Sequence, residues 1–292
     1  MIDLSGKNIL ITGGSGFFGT AFCMYVKKHN LNPAKLAILS RDYTKQLILK
    51  EKVGDLPCMK GAGCWLTGDV RDLDRLKKAF NKIDIVIHAA AMKHIKNCQD
   101  EPEEAYLTNT VGAYNVVEAA LYRKINKVLF ISTDKAVEPI TLYGLTKALA
   151  EGLILGGNKY KGTDDIRFSV CRYGNVIGSS GSVLPIWLKM IKEGAGYLPV
   201  TDERCTRFWY PVNDAIEFVL SSLETMRGGE VFIPRIKSIR ITDLCKALYM
   251  PYKVAGLRCN EKIHEKMDIN YDSEHNEFLT VEEIRETVKE VM

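Results

Sequence analysis

The sequence predicts an α/β protein, a doubly wound parallel sheet followed by a smaller C-terminal lobe, and three observations carry that prediction. Short β-branched runs alternate with helix-length stretches over the first 174 residues, the rhythm of βαβ units with helices on both faces of a parallel sheet. Two of the runs, Ile85-Val-Ile87 and Val128-Leu-Phe-Ile131, are apolar throughout, as strands covered on both faces have to be. Gly13, Gly14, Gly16 and Gly19 punctuate the passage from the first run into the first helical stretch, and such a cluster marks a turn.

Element by element, strands are expected at Asn8–Thr12, Leu36–Ser40, Cys64–Leu66, Ile83–His88, Lys127–Ser132 and Arg167–Arg172. Helices are expected near Phe18–His29, Tyr43–Lys52, Leu73–Asn81, Glu103–Arg123 and Tyr143–Lys159. After about residue 174 the rhythm loosens. Gly178-Ser-Ser-Gly-Ser182 reads as a loop, Val183–Glu193 as a helix and Thr201–Arg207 as a charged segment. Further helices are expected near Asn213–Met226 and Thr242–Tyr249, and the tail Thr280–Val291 opens with the capping-box pair Thr280 and Glu283. The expected division is residues 1–174 for the sheet and 175–292 mainly for the lobe, with 210–250 packing back on the sheet.

Composition removes several classes. Of the 292 residues 46% are apolar and 26% charged, which excludes a disordered or low-complexity chain. The 40 basic and 36 acidic residues are interspersed, whereas a nucleic-acid binder should show a dense basic face. Eight cysteines are scattered with no C-x-x-C pair, so neither a disulfide framework nor a metal site is expected, and reduced thiols in a cytoplasm fit better. Asn8–Val26 has 19 residues without a charge, close to a spanning length, but its four glycines argue for a turn rather than a membrane or signal segment.

The run Ile9-Leu-Ile-Thr12 leads into Gly13-Gly-Ser15-Gly16-Phe17-Phe18-Gly19 and then a helix. In that setting Gly13 permits the turn, Gly16 lets backbone approach a pyrophosphate, and Gly19 packs helix on strand. The free N–H groups of the first helical turn face the phosphates. A Rossmann fold holding a dinucleotide follows. The end of the second strand selects the dinucleotide: an NAD site places Asp or Glu there for the ribose 2′-hydroxyl, whereas this chain has Ser40-Arg41 with Lys45 a turn later. Arg41 can take a 2′-phosphate bidentately, so NADP is expected; a solvated loop arginine beside Asp42 is the plainer alternative.

Tyr143-Gly-Leu-Thr-Lys147 sets a phenol and an ammonium four residues apart, on one face of a helix. Tyr249 and Lys253 repeat the spacing, but Pro251 between them should break the helix. Tyr143 follows Ile131-Ser132-Thr133, the end of an apolar strand, by ten residues. Asp134 and Lys135 stand at that same strand end, where doubly wound sheets bind ligands. They read either as an acid–base pair or as a surface ion pair. His88 and His94 read as structural, Trp187 and Trp209 as core or interface residues.

A strand-end hydroxyl followed by Tyr-x-x-x-Lys resembles the extended short-chain dehydrogenase/reductases, in which the lysine lowers the phenol pKa and Thr133 would hydrogen-bond the substrate oxygen. Six segments together narrow the likeness: Ser132-Thr-Asp-Lys-Ala136, Cys171-Arg-Tyr-Gly-Asn-Val176, Gly181-Ser-Val-Leu-Pro185, Thr201-Asp-Glu-Arg-Cys-Thr-Arg-Phe-Trp209, Ala90-Ala-Met-Lys-His94 and Gly256-Leu-Arg-Cys-Asn-Glu-Lys-Ile-His-Glu265. In order along the chain they resemble the inverting UDP-N-acetylglucosamine 4,6-dehydratases. Cys259-Asn260 stands where that family usually has Pro-Gly, and a stretch after this motif is expected to be missing.

The resemblance implies an NADP-dependent, redox-neutral loss of water from a UDP-sugar, with Tyr143 taking the 4-hydroxyl proton, Lys135, if neutral, the proton on carbon 5, and Asp134 protonating the leaving 6-hydroxyl. It implies Lys147 on the nicotinamide ribose, Ala89, Ala90, Ala91 and Asn109 along the cofactor, Asp69 and Val70 at the adenine, and Phe17 and Phe18 near both ligands. For the sugar nucleotide it implies Lys93, Asn175, Arg207, Arg258 and Glu261. The product would feed glycan or nonulosonic acid synthesis, and the helices near 103–123 and 143–159 would pair two subunits or more. An NADP-dependent epimerase or reductase, or a non-catalytic NADP sensor, is the alternative on the same fold.

Overall fold

Alternate residues of the central strands bury apolar side chains on opposite faces, and that decides the layers. In the computed structural model, which describes residues 4–61 and 63–290, Ile9 and Ile11 face one core and Leu10 the other, as do Ile85 and Ile87 against Val86. The strands are β1 (Asn8–Thr12), β2 (Lys35–Ser40), β3 (Trp65–Thr67), β4 (Ile85–His88), β5 (Lys127–Thr133) and β6 (Arg167–Tyr173). They form a parallel sheet ordered β6-β5-β4-β1-β2-β3, so the chain reverses direction across the sheet between β1 and β4. Helices α1 (Phe17–Lys28) and α2 (Tyr43–Val53) cover one face; α3 (Leu73–Ala79) and the helices that follow β4 cover the other.

The stretch expected as one helix over Glu103–Arg123 is broken. A short α4 (Ile95–Asp100) precedes it, then α5 (Pro102–Tyr106) passes into a five-residue π segment, Leu107–Val111, before α6 (Gly112–Arg123). The wider turn rotates Thr108, Asn109 and Thr110 inward, where all three are buried. Thr110 Oγ1 and Asn109 Nδ2 then donate to Thr146 of α7 (Leu142–Gly156), to its carbonyl at 3.3 Å and its hydroxyl at 3.0 Å.

Beyond β6 the chain forms β7 (Asn175–Val176), α8 (Val183–Lys192), β8 (Leu198–Val200), β9 (Thr206–Tyr210) and α9 (Val212–Thr225). It continues through β10 (Val231–Phe232), β11 (Ser238–Arg240), α10 (Ile241–Ala247), β12 (Tyr252–Val254), β13 (Lys266–Asp268), β14 (Tyr271–Asp272) and α11 (Val281–Lys289). α9 packs beside α1, and β10 extends the main sheet at β6. β11 and α10 instead join α8, β8, β9 and α11 around Trp187, Trp209 and Leu244, so the expectation that 210–250 returns to the sheet fails for 238–247. The segment read as charged, Thr201–Arg207, runs at Thr206 into a wholly buried strand, Thr206–Tyr210; its Arg207 is neutralised by partners described below. Thr280 and Glu283 form the expected capping box on α11, while Val291, the expected end of that helix, lies outside the described residues. Tyr249 follows α10 at φ +55° and Lys253 sits in β12, so the second Tyr-x-x-x-Lys match shares no helix. Among the described residues no helix is long and apolar enough to cross a membrane.

Candidate active site

The glycine loop is shaped by close backbone approaches. Gly13 has φ +68°, and a Cβ there would lie 2.7 Å from Ala90 Cα. A Cβ on Gly19 would overlap the backbone of Gly14, so α1 rests directly on the loop. Gly16, the residue before α1, is different: a Cβ would meet only the Gly13 carbonyl, at 3.0 Å, and the space beyond is open. No side chain caps α1, so its first N–H groups face a cleft of about 1230 Å³ that runs along the C-terminal ends of the strands. That volume exceeds the usual single-ligand pocket and has room for two molecules.

The expected cofactor residues divide. Ser15, Gly16, Phe17, Phe18, Ser40, Arg41, Lys45, Asp69 and Val70 line the cleft, together with Gly13 and Ala89–Ala91. Ser15 and Ser40 share a hydroxyl hydrogen bond of 2.5 Å that ties the loop to the end of β2. Exposed Arg41 lies 3.5 Å from Asp69, whose carboxylate also accepts from Arg71 at 2.7 Å. Burial raises the Asp69 pKa, but hydrogen bonds from Arg71 outweigh it and hold it low. Asp42, next to Arg41, is committed to capping α2, accepting from the Lys45 N–H at 2.9 Å, and it pairs with the Lys45 ammonium. Two expectations are corrected. Gly19 packs against Gly14 away from the cleft, and Asn109 lies beneath it: its amide is occupied by Met92 N–H at 2.7 Å, Met92 carbonyl at 3.0 Å and Thr146, which fixes the 89–92 segment. His88 is buried and bonded to Thr12 at 2.7 Å; burial drives its pKa down to about 3, so it is neutral.

At the end of β5 the charged residues converge. Thr133, Lys135, Tyr143 and Lys147 line the middle of the cleft. Asp134 lies just under it, fully buried, accepting from Thr133 at 2.9 Å and with Oδ2 lacking a partner among the described residues. Lys147 donates to the Ile131 carbonyl at 2.6 Å and sits 3.8 Å over the Phe130 ring; burial lowers its pKa to about 7. Tyr143 departs from expectation. Burial raises its pKa to about 12, and the largest opposing effect comes from Lys135, helped by a hydrogen bond with Thr133, rather than from Lys147. A lysine of lowered pKa inside an apolar shell is a weak source of positive field.

Lys135 also differs. Its Nζ lies 3.0 Å from Asp134 Oδ1, 3.2 Å from Glu265 Oε1 and 3.1 Å from Asn175 Oδ1. Burial alone would lower its pKa, but the two carboxylates raise it, so it rests as an ammonium rather than a neutral amine. Burial dominates at Asp134 and raises that pKa despite Lys135. Glu265, just ahead of β13, carried no expected role although its motif was noted; a carboxylate among several charged residues has no signal marking which one is buried. Arg207 of β9 is buried and donates to the Thr206 and Ile263 carbonyls and to Glu261 at 3.1 Å. Lys93 reaches over the Phe17 ring at 6.0 Å, and Arg258 is exposed on the rim; with Asn175, Arg207 and Glu261 they line the same cleft.

Comparison with known proteins agrees with this geometry. The family model described as "Polysaccharide biosynthesis protein" matches residues 9–285. A Campylobacter jejuni subsp. jejuni serotype O:2 protein named UDP-N-acetylglucosamine 4,6-dehydratase (inverting) is 47% identical over 271 residues, 92% of this chain and 79% of the relative. A Rickettsia prowazekii protein named UDP-glucose 4-epimerase is 36% identical over 269 residues, 89% of this chain and 77% of that one. The X-ray structure of Pen from Bacillus thuringiensis covers 100% of both chains at TM-score 0.90 and 30% identity. DesIV, a dTDP-glucose 4,6-dehydratase from Streptomyces venezuelae solved with NAD and TYD bound, covers 97% of this chain and 96% of its own at TM-score 0.79 and 19% identity, a likeness of fold alone. The sheet, the cleft and these matches agree: the chain belongs to the polysaccharide biosynthesis family of extended short-chain dehydrogenase/reductases that includes the inverting UDP-N-acetylglucosamine 4,6-dehydratases.

Proposed function

We propose that this protein is a hydro-lyase that converts UDP-N-acetylglucosamine to a UDP-4-keto-6-deoxy sugar with inversion at carbon 5, using NADP. The observation that carries the reading is the Asp134–Lys135 pair at the end of β5, 3.0 Å apart, with Lys135 in the cleft that Tyr143 also lines and Asp134 buried just beneath it. Reduction or 4-epimerisation alone needs no acid–base pair there; loss of water needs both. The open space at Gly16, the uncapped α1 N-terminus and the Ser15–Ser40 bond fit a dinucleotide. Arg41 at the end of β2, with Asp42 spent on the α2 cap, favours a 2′-phosphate and so NADP. Bound nicotinamide supplies temporary storage of one hydride, which makes the reaction redox-neutral.

Tyr143 accepts the 4-hydroxyl proton once its phenol is ionised, and Lys147 holds the adjoining ribose. The ketone so formed acidifies carbon 5, where Lys135 takes the proton while Asp134 gives one to the departing 6-hydroxyl. A proton later added to the opposite face of carbon 5 inverts that centre. Lys93, Asn175, Arg207, Arg258 and Glu261 bind the sugar nucleotide, the arginines facing its diphosphate. Residues 1–174 hold the cofactor and 175–292 mainly the sugar nucleotide. Exposed Tyr106, Tyr114, Tyr122, Leu145 and Leu149, on α5, α6 and α7, form an apolar face suited to a second copy of the chain, which light scattering on the purified protein tests. The deciding experiment is proton NMR of the protein with UDP-N-acetylglucosamine and catalytic NADP. A new methyl doublet without net NADPH is expected; a 4-epimer with no methyl signal, or cofactor binding with no turnover of any UDP-sugar, would refute the reading.

A further inference from the structure

The ammonium of Lys135 has three N–H donors, and three acceptors surround it: Asp134 Oδ1 at 3.0 Å, Asn175 Oδ1 at 3.1 Å and Glu265 Oε1 at 3.2 Å. One of these, Asp134, comes from the end of the main sheet, and the other two, Asn175 of β7 and Glu265, come from beyond β6. The Glu265 side chain is buried and lines the cleft, yet its second oxygen, Oε2, has no partner among the described residues. Its backbone is clamped independently, donating from N to Ser273 Oγ at 2.9 Å and accepting from Ser273 N at 2.8 Å. A buried carboxylate held by its main chain, with one oxygen on an ammonium and the other unspent, is costly unless the charge is used.

We infer that Glu265 is a positioning residue for the elimination step, aiming Lys135 at the sugar and sustaining its basicity; this rests on the dehydratase reading above. Lys135 can take a proton from carbon only after losing one. Asp134 Oδ1 receives it along the existing hydrogen bond: an N–H bond breaks, an O–H bond forms, and the electron pair stays on nitrogen. The pair is then amine and carboxylic acid with no change in net charge. At carbon 5 the C–H bond breaks, the proton goes to Lys135 and the electrons enter the enolate of the 4-ketone. The enolate pair forms the carbon 5–carbon 6 double bond, the C6–O bond breaks, and the Asp134 proton leaves on the oxygen as water. Lys135 is again an ammonium and Asp134 a carboxylate, as at rest. Glu265 carries no proton through this cycle. Burial raises its pKa, but Lys135, Arg207 and Lys262 outweigh that and hold it ionised. Its fixed negative charge favours the moment at which Lys135 becomes cationic, and its oxygen keeps the nitrogen from rotating away.

The test uses the full chain with NADP and UDP-N-acetylglucosamine in deuterated buffer, comparing wild type with Glu265→Gln and Glu265→Asp. Glu265→Gln should lower kcat for methyl formation and carbon 5 deuteration by about 100-fold, with KM within about threefold. Reduced nicotinamide should then build up, since the step before elimination is untouched. Without the neighbouring anion the amine is less basic, so the alkaline limb of the kcat–pH profile should move down by about one unit or more. Glu265→Asp keeps the charge but retracts it; it should lose about tenfold in kcat and keep the wild-type limb. A Glu265→Gln profile that coincides with wild type overturns the assignment, as does a limb that moves equally in both variants. If Glu265→Gln does not fold, unchanged kcat in Glu265→Asp overturns it. A wild type that forms no methyl product overturns the dehydratase reading and this assignment with it, whereas product without any Glu265 effect overturns the assignment alone.

Discussion

At the scale of single residues, two buried lysines in one cleft are tuned in opposite directions. Burial lowers Lys147 to about 7 although Glu151 opposes it; at Lys135 the carboxylates of Asp134 and Glu265 overcome burial and raise it. The proposed chemistry divides accordingly, with Lys135 as the proton carrier. Lys135→Ala should therefore keep NADP affinity, read by fluorescence titration, while methyl formation falls at least about 100-fold; substantial product from that variant would place the base elsewhere. His88 makes a separate prediction about stability. Its folded pKa is depressed from 6.5 to about 3, so both states are neutral above pH 6.5 and only the unfolded state takes a proton just below it. Stability should be lost as pH falls, by about 2 kcal/mol between pH 6.5 and 5 from this residue. Urea unfolding of wild type and His88→Gln at pH 7 and 5 measures it: the variant should show a correspondingly flatter decline. Individual roles were only partly legible in the sequence. Motif spacing marked Thr133, Asp134, Lys135, Tyr143 and Lys147, four of which line one cleft with Asp134 buried just beneath it, but spacing carries no dielectric information, so neither the raised Tyr143 pKa nor the partnership of Lys135 with Glu265 could be read.

Among the elements, the strands were the most legible because burial on both faces leaves an unbroken apolar run, and β1, β4 and β5 lie within two residues of expectation. What escaped was structure set by tertiary packing. The π segment at Leu107–Val111 is rich in the poor helix formers Thr, Asn and Val, but such a composition does not distinguish a widened turn from an ordinary one, and β9 hides Arg207 in a strand by giving its guanidinium two carbonyls and Glu261. The turn at the glycine loop was legible in the sequence, and it yields a paired prediction. A Cβ at Gly16 meets one carbonyl at 3.0 Å and otherwise faces the cleft; one at Gly19 overlaps the Gly14 backbone. Gly16→Val should weaken NADP binding by about tenfold or more with little change in melting temperature. Gly19→Val should lower the melting temperature sharply or prevent folding. Calorimetry with and without NADP distinguishes them, and equal destabilisation by both would contradict the idea that Gly16 serves the ligand rather than the fold.

Over the whole molecule, the C-terminal lobe closes the site at the open end of the sheet, with Phe208, Met267 and Tyr271 packed into the sheet's own core and charged side chains tying the two together. Lys262 donates to the Val137 carbonyl at 2.6 Å, Lys266 pairs with Glu138 at 2.8 Å, and Lys135 reaches Glu265. The most buried of these ties is Arg172 on β6. It holds Glu151 of α7 in a two-pronged bond at 2.6 and 3.0 Å and donates to the Met267 carbonyl of β13 at 2.8 Å. One side chain thus joins the sheet, the helix bearing Tyr143 and Lys147, and the strand beside Glu265. Removing a single partner of such a pair leaves a charge stranded, whereas removing both need not. Arg172→Met should cost about 3–5 kcal/mol, and adding Glu151→Met should recover a large part of it. A double-mutant cycle by urea unfolding reads the coupling, expected to exceed about 1 kcal/mol. Strict additivity would mean that Glu151 and Arg172 act independently, and that the lobe is held by its apolar contacts rather than through this junction.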